Sequence, residues 1–326
     1  MRKNDVVALG ELLIDFTDAG VSSQGNPLYE ANPGGAPCNV LAMLEKLGTS
    51  CAFIGKVGND SFGRQLRKSI VKAGIDDKGL VEDNLVHTTL AFVHKLPDGD
   101  RDFSFFRNPG ADMMLREDEV DEELIKECLV FHFGSLSMTS ETCEKATKRA
   151  VQVARENKKF ITFDPNLREN LWENLDKAKE KIEYGISVCN MLKISDNEIE
   201  WLTGCSNYDK AASILMSIYP NIELLLISLG KDGSMAVTKN RQAHVPAFIR
   251  EDTVETTGAG DTFCGCVISK VAQMLKGGRT ILSMSDDEMI EMLKFANAAA
   301  SIITTRKGAL MVMPEKEEIT QLFLSI

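Results

Sequence analysis

The sequence has few residues that build metal centres, and no pattern groups them. Its four histidines have no metal-like spacing, and its eight cysteines include no CxxC pair. We therefore expect neither a zinc site nor a disulfide framework, and we predict buried, reduced thiols. No apolar run approaches the roughly 20 residues that a membrane span requires.

Basic residues are outnumbered by acidic ones, 37 to 48, which gives a net charge of −11. This balance argues against broad binding to nucleic acids or anionic membranes, so we expect neither partner. A local phosphate site remains compatible with this negative net charge. The first 16 residues pass directly into strand-like sequence without a small-residue cleavage site. We therefore predict no signal peptide and a cytoplasmic location.

Three common site motifs are also absent. The chain has no G-x-x-x-x-G-K-[ST] phosphate loop and no G-x-S-x-G nucleophile motif. A G-x-G begins at Gly258, but Phe263 stands where the dinucleotide fingerprint needs its third glycine. The sequence therefore predicts none of these three sites.

The pattern along the chain alternates between strands and helices. Short, nearly all-apolar strands separated by amphipathic helices predict an α/β fold with a mostly parallel sheet covered on both faces. The predicted strands are 6–16, 51–57, 129–134, 160–164, 191–194 and 224–228, and the predicted helices are 36–47, 61–73, 141–157, 171–189 and 264–275. The length fits two domains or one large core with a small appendage. Because no glycine- or proline-rich linker divides the chain, we predict a single domain over residues 1–326.

Two extended segments, 17–32 and 88–107, interrupt this alternation. The second contains Pro-Asp-Gly-Asp between two strand-like runs, which indicates a hairpin. We predict that the two segments pair into a small sheet above the carboxyl ends of the strands and act as a lid. Apolar residues fall on both faces of the hairpin, which predicts pairing across a homodimer; they include Phe92, Phe103, Phe105 and Phe106.

The stretch 256-TTGAGDTFCG-265 places Gly258, Ala259 and Gly260 just before Asp261 and a helical run. Glycines at a helix start expose backbone N–H groups beside the positive end of the helix dipole, where an anion binds. A carboxylate in the same place needs an explanation. It is either a functional group of the site or a helix cap.

Two stretches together resemble the signatures of the ribokinase-like (PfkB) sugar kinases. They are TTGAGDTFCG and 33-PGGAPCNVLAMLEKLG-48. The motifs GELLIDF, GKVGNDSFG, FFRNPGADMML, DPNLR, SLGKDGS and NAAASIITTRKGA occur in the family's order over essentially the whole chain. PGGAPCN and FFRNPGAD are most similar to the fructokinase branch. The resemblance implies a ribokinase-like doubly wound sheet with a small β-sheet lid.

The resemblance also implies the sugar-binding residues. Asp15 would accept hydrogen bonds from sugar hydroxyls, and Asn39 would bind them through its amide. Gly34 and Gly35 would let the backbone approach the sugar and act as a hinge. Arg107 would reach from the lid to the sugar or to the transferring phosphate. Simpler roles remain open, namely a turn aspartate, a helix cap at Asn39, a loop before a helix and a solvated arginine.

On the nucleotide side, the family's pattern implies contacts with ATP from seven residues: Asn166, Arg168, Ser195, Ser228, Gly230, Gly233 and Asn297. Glu198 would order water on Mg²⁺. The family's Asn-x-x-Glu motif has Ser195 in the place of asparagine, so this contact is changed. The alternatives are a polar loop, ordinary glycine turns and close helix packing.

The resemblance further implies a monovalent cation such as K⁺, which would order the anion site. The residues implied are Glu255, Thr257, Ile303, Arg306 and Gly308. Family members usually carry aspartate where Glu255 stands. The longer carboxylate leaves the dependence on the cation open.

These expectations combine into an ATP-dependent sugar kinase, a phosphotransferase with an alcohol group as acceptor. It would transfer the γ-phosphoryl group of MgATP to the 6-hydroxyl of D-fructose. Asp261 would be the general base, and the N–H groups of Gly258–Gly260 would form the anion hole. 2-Keto-3-deoxygluconate kinase and ribokinase are alternatives within the family. A non-catalytic sugar- or nucleotide-binding regulator is the alternative from another class.

Overall fold

The computed structural model describes residues 3–95 and 101–325. Its β-strands are β1 Val6–Leu9, β2 Leu13–Val21, β3 Pro27–Gly34, β4 Cys51–Gly58, β5 Asp76–Asp83, β6 Leu90–Lys95, β7 Arg101–Phe106, β8 Val130–Gly134, β9 Phe160–Asp164, β10 Met191–Ser195, β11 Leu224–Ser228, β12 Ser234–Val237 and β13 Gln242–Val245. Its α-helices are α1 Ala36–Lys46, α2 Ser61–Lys72, α3 Glu122–Glu127, α4 Glu141–Glu156, α5 Leu175–Val188, α6 Asp196–Thr203, α7 Tyr208–Ile218, α8 Ala259–Lys276, α9 Asp286–Ile303 and α10 Lys316–Leu324.

Nine strands form the large sheet in the order β13-β12-β11-β10-β9-β8-β1-β4-β5. The strands from β11 to β5 in this order pair in parallel, and β12 is antiparallel to both of its neighbours. Successive side chains of a strand point to opposite faces. Accordingly, Val6 and Ala8 pack in one hydrophobic cluster with α1, α8 and α9, while Val7 and Leu9 pack in the other with α4 and α5. The predicted mostly parallel sheet covered on both faces is confirmed.

The predicted strand 6–16 was wrong in one respect, because it is two strands in two sheets. The chain leaves the large sheet after Leu9 and enters the small sheet at Leu13. Gly10 lies at this crossing, where a β-carbon would stand 2.5 Å from the Pro37 ring. A helix predicted at 171–189 begins only at Leu175, because Asn174 accepts a hydrogen bond from the N–H of Lys177 and caps it.

The small sheet has the order β3-β2-β6-β7. Strand β2 pairs antiparallel with β3 and parallel with β6, so the two extended segments do form one separate sheet. Its action as a lid remains a prediction. The predicted Pro-Asp-Gly-Asp turn at 97–100 lies outside the described residues.

Two expectations about composition can also be compared with the structure. All eight cysteines are free thiols, and Cys205 alone among them is not fully buried. Among the helices of residues 3–95 and 101–325, none is long and apolar enough to cross a membrane.

Candidate active site

A cavity of about 300 Å³ lies at the carboxyl ends of the strands, between the large and the small sheet. Open α/β sheets bind their ligands at this edge. Its walls come from the end of β1, β2, the start of α1, β7, the loops after β8 and β9, strand β10 and the turn before α8. The lining residues are Glu11, Leu13, Asp15, Gly35, Ala36, Asn39, Phe105, Leu136, Asn166, Arg168, Lys193, Thr256, Thr257, Gly258, Gly260 and Asp261.

Larger cavities exist elsewhere. One of about 540 Å³ lies between residues 245–252 and helices α9 and α10, and Phe248, Ile249 and Leu322 give it an apolar wall. We assign the active site to the smaller cavity because it collects charged and amide groups that converge on one space, as a reaction on a polar substrate requires.

The turn before α8 has the geometry of an anion site. Gly258 has a left-handed backbone (φ +75°), and a β-carbon on it would approach that of Ala309 to 2.7 Å, so only glycine fits. Helix α8 begins at Ala259, whose N–H donates to the carbonyl of Thr256 at 3.2 Å. The next N–H groups, of Gly260 and Asp261, belong to a first helical turn, which supplies no backbone acceptor for them.

Asp261 lies in the first turn of α8 and contacts the first turn of α1. Its Oδ2 accepts a 2.8 Å hydrogen bond from Nδ2 of Asn39. Burial raises the pKa of Asp261, while this hydrogen bond and the charges of Lys193 and Arg168 oppose the increase. Gly258, not Asp261, occupies the N-cap position. The carboxylate is therefore turned toward α1 and the cavity.

Asn39 has a second polar atom at this place. Its Oδ1 is buried and makes no hydrogen bond within the described residues. A buried amide oxygen without a partner is costly unless a ligand or water satisfies it. This unsatisfied acceptor lies next to the carboxylate of Asp261, just beneath the surface of the cavity wall.

A buried ion pair lies beneath the turn. Nζ of Lys193 is 3.0 Å from Oδ2 of Asp164, with the two side chains 7% and 4% exposed. Burial opposes the ammonium, but Asp164 and Glu198 raise the pKa of Lys193, so it stays charged. Burial raises the pKa of Asp164 to about 6. A β-carbon on Gly260 would lie 3.2 Å from Nζ of Lys193, which places this cation directly beside the anion turn.

The predicted sugar residues lie around the start of α1, where Asn39 reaches Asp261. A β-carbon on Gly34 would lie 2.1 Å from Oδ2 of Asp15, so the glycine is needed for the carboxylate to fit. Gly35 has φ +120°, and its β-carbon would lie 2.4 Å from the carbonyl oxygen of Glu11. The structure therefore brings Asp15, Gly34, Gly35 and Asn39 together at the start of α1.

The predicted nucleotide residues fall into two groups. Asn166, with a positive φ of 45°, and Arg168 line the cavity. Ser195 and Glu198 form a capping box at the start of α6, and Oε1 of Glu198 also accepts the N–H of Leu167 at 2.7 Å. Glu198 thereby supports the loop that carries Asn166 and Arg168.

The second group lies farther along the same edge of the sheet. Ser228 ends β11 beside Ser195 of β10, and Gly230 and Gly233 form the turn that follows. Nδ2 of Asn297 donates to the carbonyls of Val245 and Pro246 at 3.2 Å each. Its amide donor therefore holds the segment after β13 in this structure.

The predicted cation residues come together in part. Oε1 of Glu255 accepts the N–H of Gly308 at 2.8 Å, and the carbonyl of Thr304 accepts the N–H groups of Val254 and Glu255. The guanidinium of Arg306 turns away to the carbonyl of Val312 and to Glu318. The guanidinium of Arg306 is thus directed away from the oxygen atoms of the loop.

Comparison with known proteins agrees with this geometry. Residues 3–316 match the family described as "pfkB family carbohydrate kinase". The chain belongs to this family of carbohydrate kinases. It is 40% identical to Fructokinase-1 of Zea mays over 321 residues, covering 97% of each chain. It is therefore a sugar kinase, a transferase with an alcohol group as acceptor.

Solved structures show the same fold. The kinase is similar to the fructokinase of Xylella fastidiosa with bound ATP, at 28% identity, 99% coverage of both chains and a TM-score of 0.88. It is also similar to the aminoimidazole riboside kinase of Salmonella enterica, at 28% identity, with 99% and 100% coverage and a TM-score of 0.81. Kinases named for different sugars thus share this fold.

The kinase does not hold Arg107 as the sequence predicted. Arg107 is buried, and its guanidinium donates to Asp112, to the hydroxyl of Thr139 and to the carbonyl of Leu136. It is absent from the residues found to line the cavity within the described chain. In this placement it connects the base of the small sheet to the loop after β8.

Two charged residues of the kinase's cavity were missed by sequence reasoning. Lys193 interrupts the apolar strand Met191–Ser195, and Glu11 interrupts the apolar run GELLIDF. A charged residue in the middle of a buried strand is rare unless it is paired or functional. That signal was available in the sequence and identifies both residues.

Proposed function

We propose that this kinase transfers the γ-phosphoryl group of MgATP to the 6-hydroxyl of D-fructose. The observation that carries the proposal is the carboxylate of Asp261, held by Asn39 beside the anion turn and the ammonium of Lys193. A base, an anion site and a cation within one cavity are what phosphoryl transfer to an alcohol needs. The choice of fructose rests on the maize relative named Fructokinase-1.

In the proposed reaction the sugar hydroxyl lies against the carboxylate of Asp261, beside Asn39. Its oxygen attacks the γ-phosphorus, a new O–P bond forms, and the bond to the bridging oxygen of ADP breaks. Asp261 takes the proton of the hydroxyl. The N–H groups of Gly260 and Asp261, which have no backbone acceptor in the first turn of α8, and Lys193 face the charge that develops on the phosphoryl oxygens.

We propose the other predicted contacts as follows. Asp15 and the backbone at Gly34 and Gly35 bind the sugar, and Arg168 and Asn166 bind the nucleotide phosphates. The adenosine part lies along the edge with Ser195, Ser228, Gly230, Gly233 and Asn297. In this structure the guanidinium of Arg107 donates to Asp112, which weighs against its contact with a substrate carboxylate such as that of 2-keto-3-deoxygluconate.

The residues present fit Mg²⁺ on the phosphates of ATP. Oε2 of Glu198 accepts two hydrogen bonds from Ser195, whereas Oε1 accepts only the N–H of Leu167 and retains a lone pair for metal-bound water. Mg²⁺ would neutralise charge on the transferring group. At the loop of Glu255 and Gly308, together with Thr257, Ile303 and Arg306, we propose the site of a monovalent cation such as K⁺.

We also propose that the small sheet closes over the cavity and pairs in a homodimer. Phe16, Phe92, Tyr29 and Phe106 form an aromatic cluster on the face of the sheet opposite Asp15, with ring centroids 4.8–5.4 Å apart. Tyr29 is 45% and Phe106 64% exposed. Aromatic surface grouped in this way is typical of an interface.

A coupled ADP-release assay tests the substrate. Fructose, ribose, 2-keto-3-deoxygluconate, adenosine, aminoimidazole riboside and glucose are compared at saturating MgATP. We expect the highest kcat/KM for fructose. A tenfold or larger preference for another sugar would replace the substrate while leaving the kinase class intact. The absence of turnover with every sugar, together with nucleotide binding, would favour the regulator.

A further inference from the structure

Glu11 lies at the start of α1 although it belongs to another part of the chain. Its Oε1 accepts the N–H of Ala36, the first residue of the helix, at 2.9 Å. The N-cap residue, Gly35, has no side chain to cap the helix, and Pro37 has no N–H. Glu11 therefore caps α1 from outside, after the chain has crossed into the small sheet and returned.

The backbone at Glu11 also packs closely against the first turn of α1. The carbonyl oxygen of Glu11 and the ring of Pro37 leave no room for a side chain on Gly35 or Gly10. The first turn of α1 is thus held in place by close contacts with residues 10–11. It is also held by the hydrogen bond between the N–H of Ala36 and the carboxylate of Glu11. The same turn carries Asn39 on its cavity side, where the amide holds Asp261.

The environment of Glu11 argues that this carboxylate has a role beyond capping. It is 4% exposed, and it lines the cavity. Burial raises its pKa to about 7, Asp112 adds to the increase, and Arg107 opposes it. Asp15 and Asp261 share the cavity wall, and the Cys38 thiol lies on the same helical turn. An uncharged cap such as serine or asparagine would avoid this cost of burial.

We propose that Glu11 is a positioning residue for the general base: it acts through Ala36 and the first turn of α1 to hold Asn39 against Asp261. The proposal rests on the assignment of Asp261 as base. A charged acceptor makes a stronger hydrogen bond with a helix N–H than a neutral one does. A shift of the turn of even about 1 Å would displace the base enough to slow the reaction by up to about a hundredfold.

The test is a double-mutant cycle between Glu11→Ala and Asn39→Ala in the full chain, with the sugar that the wild-type enzyme phosphorylates best. We expect Glu11→Ala alone to lower kcat by between about tenfold and about a hundredfold, with the KM for ATP changed less than about twofold. In the Asn39→Ala background the same substitution should change kcat by less than about threefold. Independent, multiplicative effects would overturn the proposal.

Glu45 is the matched control. It lies near the other end of α1, and its Oε1 likewise accepts a backbone N–H, that of Cys51, at 2.9 Å. Glu45→Ala should therefore affect the thermal midpoint of unfolding in the same direction as Glu11→Ala but leave kcat unchanged. An equal loss of kcat in both variants would mean that general loosening of α1 is responsible and would refute a specific role of Glu11.

Glu11→Gln keeps an acceptor of the same shape without the charge, and it serves if the alanine variant does not fold. We expect kcat of Glu11→Gln to lie between those of the wild type and Glu11→Ala, because the amide oxygen can still accept the N–H of Ala36 but without the charge. A kcat of Glu11→Gln no higher than that of Glu11→Ala would overturn the proposal. The base assignment fails separately, because Asp261→Asn would then keep its activity whatever Glu11 does.

Discussion

Asn39 and Asp261 are 222 positions apart in the chain, yet Nδ2 of the first donates to Oδ2 of the second at 2.8 Å. This hydrogen bond joins the first turns of α1 and α8. It leaves the second carboxylate oxygen of Asp261 for a substrate hydroxyl in the cavity, which makes Asp261 the most direct residue to test.

Asp261→Asn should lower kcat by at least about a hundredfold, because general base catalysis contributes about 10²–10⁴ in rate. The affinity for ATP should hold or improve, since a negative charge beside the phosphates is lost. Steady-state kinetics with fructose and nucleotide titration measure both. Asp121→Asn, which alters an ordinary helix cap at α3, should leave kcat unchanged. A kcat of Asp261→Asn within tenfold of the parent would exclude the carboxylate as base.

Lys193→Met should reduce both activity and stability, by separable routes. It leaves Asp164 buried without its partner, which costs about 3–5 kcal/mol of unfolding free energy. The double variant Lys193→Met, Asp164→Asn should recover most of this stability in urea unfolding. It should not recover activity. We expect its kcat to stay at least about a hundredfold below that of the wild type, because the cation beside Gly260 is lost. Recovery of activity along with stability would show that the pair is only structural.

The buried carboxyl of Glu11 should make stability depend on pH. Its pKa is raised from 4.5 to about 7 in the folded protein, so the folded state binds more protons than the unfolded state between these values. Its stability contribution is fully present below pH 4.5 and is lost as the pH rises through about 7. Relative to wild type, Glu11→Gln should therefore gain up to about 3 kcal/mol over this range. Parallel stability curves for the two proteins would contradict this.

Glu255→Asp should increase the requirement for a monovalent cation. The shorter side chain cannot keep the hydrogen bond with the N–H of Gly308, so the loop before α8 would depend more on an ion to stay closed. We expect the ratio of kcat/KM in K⁺ to that in tetramethylammonium to rise by at least about fivefold, a coupling of about 1 kcal/mol. Thermal unfolding in the two salts provides a readout independent of turnover. Equal ratios in variant and wild type would remove the loop as a cation site.

Phe106→Ser should weaken the proposed dimer. The substitution removes an aromatic side chain that is 64% exposed and whose ring is 5.4 Å from that of Phe92. Sedimentation velocity at micromolar concentrations should show a dimer for the wild type and a larger monomer fraction for the variant. Ile218→Ser, on the exposed end of α7 and 61% exposed, should leave the mass unchanged. A monomeric wild type would end the proposal.

The fold was predictable from the sequence where burial alone decides the structure. Strands 160–164 and 224–228 match their predicted bounds because each is an apolar run that ends at a polar turn. The run 6–16 was misjudged because its apolar pattern continues across Gly10, while the change of sheet depends on contacts with Pro37. The position of such a crossing is set by distant packing, which a local pattern does not contain.

The site was predictable as motifs but not as contacts. Gly258 and Asp261 follow from the helix start that they form, whereas the hydrogen bond from Asn39 requires the packing of α1 on α8. Lys193 was assigned only to an apolar strand, because the residue that explains its burial, Asp164, lies on the neighbouring strand β9. The local sequence around Lys193 does not show this partner. Arg107 was assigned to the ligand because the sequence does not show that Asp112, five positions later, occupies it.

The crossings between the two sheets limit how the small sheet can move. Residues 10–12 and Gly35 carry the chain in and out of β2 and β3, and the hydrogen bond between Glu11 and Ala36 ties these two crossings together. Because an extended residue spans at most about 3.6 Å, the three residues 10–12 allow little translation. The proposed closure would therefore be a rotation about an axis through these crossings, in which the far ends of the strands travel most and Asp15 hardly moves.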